Sequence, residues 1–109
     1  MDEFELIGRF FARPGGTGVE IGIGDDGAVL VPTPGLHLVQ VVDSLVEGVH
    51  FPAHLCPSDI GFRAVAVNLS DIAAMGARPR WMTLAISLRE ADERWLEAFA
   101  GGLHTAAAE

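Results

Sequence analysis

Residues 59–75 constrain the fold most. Ile60, Ala64, Val67 and Ile72 recur at the spacing of one helix face, and Gly76 stands where a helix ends. Ser58 is placed to cap that helix, and Asp59 suits its first turn. Its many alanines allow it to lie close against a sheet. A helix with one apolar face must bury that face on a second layer, so the flanking chain has to supply one.

The flanks read as follows. Phe4, Leu6, Ile7, Phe10 and Phe11 fit a helix over residues 4–11, which Pro14 and its neighbouring glycines stop. Residues 19–31 read as extended chain interrupted by the polar loop Gly24-Asp25-Asp26-Gly27. Pro32, Pro34 and Gly35 form a turn, and the apolar, β-branched run through Leu38, Val39, Val41 and Val42 predicts a strand over residues 36–42. Together these two stretches predict a hairpin. After Pro79, residues 81–88 predict another strand, with Met82, Leu84, Ile86 and Leu88 on one face. A last helix begins near Asp92, and Trp95, Leu96, Phe99 and Leu103 form its core-facing stripe. The order is helix, two strands, helix, strand, helix. It predicts α+β or α/β layer packing, and we take it as an α+β two-layer sandwich, a small mixed sheet covered by helices.

At 109 residues the chain has the size of one modest domain, and half its residues are hydrophobic, which excludes disorder. No apolar run approaches the ~20 residues of a membrane span. Asp2, Glu3 and Glu5 replace the basic start of a signal peptide, so a cytoplasmic location is expected. The single cysteine, Cys56, has no partner for an internal disulfide and reads as an incidental thiol. The net charge is −8 and every basic residue is arginine, a surface that repels a nucleic-acid backbone. Neither nucleic acid nor membrane is an expected partner. The absence of lysine excludes Schiff-base chemistry within these residues. No zinc spacing, Walker A loop or dinucleotide fingerprint occurs. The helical run Ala106-Ala107-Ala108-Glu109 has no breaker after it, so a longer protein is expected.

The chemistry is carried by carboxylates. Asp25 and Asp26 lie in a glycine-flanked loop, Asp43 at the end of a hydrophobic run, and Asp71 in a helix of small and apolar residues. Mg²⁺ takes oxygen ligands, commonly one or two carboxylates with water and substrate phosphates. An acidic site therefore holds ATP as its metal complex. Plainer readings stand beside this one. The Gly24–Gly27 loop also reads as an ordinary turn, and Asp43 as a turn residue. Asp71 must find water, a partner or a metal, with Asn68 on its own face. His50, close to Asp43 and Glu47, is a possible contact, though a lone histidine is more often structural.

Three segments together resemble the thiamine-monophosphate kinase family. They are Gly22-Ile23-Gly24-Asp25-Asp26-Gly27-Ala28-Val29, Asp43-Ser44-Leu45-Val46-Glu47-Gly48-Val49-His50-Phe51, and Ala66-Val67-Asn68-Leu69-Ser70-Asp71-Ile72-Ala73-Ala74-Met75-Gly76-Ala77. They occur in the family's order, and the resemblance covers nearly the whole chain but only the first third of the usual enzyme. It implies an N-terminal ATP- and Mg²⁺-binding domain, here residues 1–109, that dimerises with its twin and precedes a second domain. It implies transfer of the ATP γ-phosphate to thiamine phosphate. By resemblance Asp25, Asp43 and Asp71 are metal ligands and His50 touches substrate. Asp26 and Val42 are possible metal or nucleotide contacts.

The chain departs from the family at Val41 and Val42, where hydroxyl residues are common, so either ligation there uses backbone carbonyls or one metal site is weakened. The later segments of the family lie beyond these residues, and the 109 residues alone are expected to be inactive. Two alternatives remain: another ATP-using enzyme of the wider group that resembles aminoimidazole ribonucleotide synthetase, or a noncatalytic dimerisation module.

Overall fold

The computed structural model describes residues 1–46, 48–49, 52 and 54–108. The chain divides into two units, one of Met1–Leu38 with Arg80–Arg89, the other of Val39–Pro79 with Glu90–Glu109.

The first unit opens with helix α1 (Glu3–Leu6), and the Asp2 carboxylate accepts the Glu5 amide at 2.8 Å as its cap. A single wide π turn, Ile7–Phe11, continues it and closes with Ala12 N–H on the Ile7 carbonyl. The extra residue in that turn shifts the helix face. Phe10 and Phe11 are buried, whereas Phe4, expected on the same stripe, is 84% exposed.

Strands β1 (Val19–Ile21) and β2 (Val29–Leu30) pair antiparallel, Val19 opposite Leu30 and Ile21 opposite Val29, with a register shift between. The hairpin thus forms inside residues 19–31, not between that stretch and residues 36–42. Residues 22–28, with three glycines and two aspartates, fold the chain back on itself. Residues 36–42 lie in no ladder, and neither do residues 81–88, both expected as strands. Their apolar residues favour an extended backbone, but a strand exists only where a neighbour accepts its hydrogen bonds.

The second unit is a helix pair, α2 (Pro57–Ala74) on α3 (Glu93–Ala108). Pro57 opens α2, where its missing N–H leaves nothing unpaired. The cap position belongs to Cys56, which makes no side-chain capping bond; Ser58, expected to cap, lies inside the helix. The other end is as expected. Gly76 adopts φ +68°, its N–H reaches the Ala73 carbonyl at 3.0 Å, and Ala77 N–H reaches Ile72 at 3.1 Å. This left-handed C-terminal motif satisfies two orphan carbonyls. Asp92 caps α3, one carboxylate oxygen accepting from Arg94 N and Trp95 N at 3.0 and 3.2 Å.

Leu96, Phe99, Leu103 and Ala106 of α3 are buried with Ile60 and Val65 of α2. Glycine sets the close approach. A Cβ on Gly61 would run into the Phe99 carbonyl, and one on Gly102 into the Ser58 carbonyl. The close packing expected of α2 on a sheet therefore occurs on α3. Helices together with an antiparallel strand pair make the chain α+β.

Candidate functional site

Asp43 and Asp71 come together. Asp43 follows residues 39–42, which lie in no ladder, and Asp71 sits in the last turn of α2. Their carboxyl groups are hydrogen-bonded. That bond pushes the Asp71 carboxyl above its ordinary 3.8, helped by partial desolvation and by the negative charge of Asp43. A bond between two carboxyls requires a shared proton. Two carboxylates this close repel each other unless a proton or a cation lies between them. The helix end reinforces this, because the C-terminal end of the helix dipole is negative and no basic residue occupies the last turn of α2. The donor set is therefore all oxygen and short of positive charge, which fits Mg²⁺.

Asn68, on the same face of α2, donates its side-chain amide to the Ala64 carbonyl at 2.8 Å. It braces its own helix. Asp25 and Asp26 occupy the β1–β2 loop, both exposed. The Asp25 carboxylate accepts the Asp26 N–H at 2.8 Å, a local turn bond that fixes how the carboxylate lies along the loop. Gly24 has φ +118°, a backbone that a side chain would strain. Val42 is 88% exposed, and only its carbonyl oxygen has ligand chemistry. His50 lies outside the described residues. Among the described residues no three His, Cys, Asp or Glu side chains gather as a ready-made metal cage. A carboxylate pair suffices for Mg²⁺ that also binds substrate phosphates.

Sequence reading did not find a second feature. An open cleft of about 420 Å³ lies along α2 and α3, lined by Asp59, Phe62, Ala98, Gly101 and Thr105 among others. Its signal was Gly101 in mid-helix, where the absent side chain leaves space. Asp59 and Asp71 stand twelve residues apart on α2, about 18 Å along its axis, so the cleft is separate from the carboxylate pair. Cys56 is exposed and free. The Ser58 hydroxyl, 3.2 Å away, and the Ser58 amide pull its thiol below the ordinary value. None of the described helices is long and apolar enough to cross a membrane.

Residues 24–109 match the family described as AIR synthase related protein, N-terminal domain. The matched stretch includes Asp25, Asp26, Asp43 and Asp71. The thiamine-monophosphate kinase of Salmonella typhimurium is 50% identical over 103 residues, 93% of this chain and 32% of that protein. The enzyme of the same name from Escherichia coli K12 is 48% identical over 103 residues, again 93% and 32%. That of Bacillus subtilis is 41% identical over 100 residues, 90% of this chain and 30% of that protein. The chain spans about a third of the length of the curated relatives it matches.

Proposed function

This chain belongs to the AIR synthase related family as its N-terminal domain, and on that premise we propose that the whole protein phosphorylates thiamine phosphate to thiamine diphosphate with Mg-ATP. The relatives' name supports the acceptor, and the Asp43–Asp71 pair supports the metal. In this reading Asp43 and Asp71 hold Mg²⁺ by their carboxylate oxygens, and Asp25 is a metal ligand on the β1–β2 loop. Asp26 and the Val42 carbonyl are further contacts to metal or nucleotide, and His50 contacts the substrate. The metal, when bound, neutralises the triphosphate and the charge that develops during transfer. A phosphate oxygen of the substrate forms the new P–O bond to the γ-phosphorus, the bond to the β-phosphate oxygen breaks, and ADP leaves. The protein's task is to align the two phosphates and exclude water between them.

We further propose that the working unit is a homodimer. Leu36 and Leu38 are 71 and 67% exposed on a stretch with no ladder partner, which supports a partner surface there.

The test is the whole protein with Mg-ATP and thiamine phosphate, followed by chromatography for thiamine diphosphate. Product is expected, and Asp71→Asn lowers its rate on the order of a hundredfold or more. A folded whole protein that binds Mg-ATP and forms no product sinks the thiamine assignment. The acceptor is then another compound within the wider family.

A further inference from the structure

The β1–β2 hairpin is too short to hold its own register. Two strands of three and two residues, with a register shift between them, make a ladder that is marginal in water. Its tip, residues 22–28, carries Asp25 and Asp26. Its open end is held from outside by two adjacent residues. Trp81 donates its indole N–H to the Thr17 carbonyl, 3.1 Å away, just before β1. Arg80 donates to the Thr33 hydroxyl at 2.8 Å, just after β2. The Arg80 guanidinium lies over the Trp81 ring, 4.9 Å from its centroid, so the two grips are stacked on each other. Between them Gly18 takes φ +82°, and Val31 N–H reaches its carbonyl at 2.6 Å. A Cβ on Gly18 would stand 2.7 Å from the Trp81 ring and 2.9 Å from the Val31 carbonyl. The strand ends and the clamp are thus fitted without spare room.

We propose that Arg80 and Trp81 are positioning residues that set the hairpin register and thereby aim the Asp25–Asp26 loop. A slip of one residue would turn every side chain of a strand to the opposite face and carry the loop with it. As a role in metal binding this rests on the reading of Asp25 as a ligand; as a clamp on the loop it does not. Thr17, Gly18, Thr33, Arg80 and Trp81 all belong to the first unit, so the clamp is complete within it.

The test uses the full chain in three variants. Trp81→Phe keeps a ring and deletes the N–H, Arg80→Ala deletes the stacked grip, and Thr33→Val deletes only the acceptor on the hairpin. Hydrogen exchange is followed at residues 22–28 and in α2 and α3, and Mn²⁺ affinity by electron paramagnetic resonance. Exchange at residues 22–28 is expected to rise up to about tenfold in each variant. Exchange in α2 and α3 is expected to stay unchanged, and Mn²⁺ affinity to fall severalfold. Unchanged exchange at residues 22–28 in the folded variants overturns the clamp. Faster exchange with unaltered Mn²⁺ affinity overturns the positioning role. A wild-type chain that takes no Mn²⁺ defeats the metal reading instead, and the exchange result then decides the clamp alone. Should Trp81→Phe fail to fold, Thr33→Val, on an exposed side chain, carries the same comparison.

Discussion

Asp71 is one carboxylate beside another at the negative end of a helix, and its chemistry follows from that crowding. The folded chain binds this proton more tightly than the unfolded chain. The pair therefore contributes stability below the ordinary 3.8, and that contribution is lost as pH rises through the raised folded value. At neutral pH without metal, the two charges oppose each other. Asp71→Asn is accordingly expected to raise the melting temperature of the metal-free protein at neutral pH. The gap from wild type closes as pH falls below the ordinary carboxylate range. Mg²⁺ reverses the ranking, since wild type gains from the ion and the variant gains little. Scanning fluorimetry across pH, with and without Mg²⁺, reads both effects; a gap independent of pH and metal would refute the account. Asp71 was conspicuous in sequence because a carboxylate among alanines needs a partner. That the partner is Asp43, 28 positions earlier, was not legible, because nothing local ties the two.

Among the elements, the helices were legible, and of the strands only the extended stretch 19–31 was. Helix α2 announces its end with Gly76, and α3 begins at its cap Asp92, because these signals act within a few residues. Asp92→Ala is expected to cost about 1 kcal/mol, measured by urea unfolding. The crossing of α2 on α3 depends on Gly61 and Gly102, which bring backbone against backbone. Gly102→Ala is expected to cost about 1–3 kcal/mol or more in the same assay, since the added methyl meets the Ser58 carbonyl and not a movable side chain. Gly101→Ala, with open space around its would-be Cβ, is the matched control and is expected to gain about 0.5–1 kcal/mol from helix propensity. The stretches 36–42 and 81–88 have strand composition without strand pairing. Composition reports what a backbone prefers; a ladder also needs a second backbone at the right distance.

For the whole molecule, the exposed apolar pair Leu36 and Leu38 bears on assembly. If it is the dimer surface, Leu38→Asp in the whole protein shifts sedimentation toward monomer and leaves the α2–α3 unit folded by circular dichroism. An unchanged sedimentation coefficient places the dimer surface elsewhere. With a net charge of −8, the chain repels the metal complex of ATP less than it repels free ATP. Binding of nucleotide by the whole protein is therefore expected to require Mg²⁺, which calorimetry with and without a chelator checks.

The sequence by itself determined the presence of the helices, the end of α2 and the start of α3, the acidic residues suited to a hard cation and, through three ordered segments, the family. All of these are written in local spacing or in residue identity. Only the tertiary structure decided that the hairpin closes within residues 19–31, that α2 packs on α3 through glycines, that Asp43 meets Asp71, and that Arg80 and Trp81 grip the hairpin's open end. Each of those is a contact between residues distant in the chain or a choice between competing partners. Such a choice is settled by what the folded backbone brings within bonding distance.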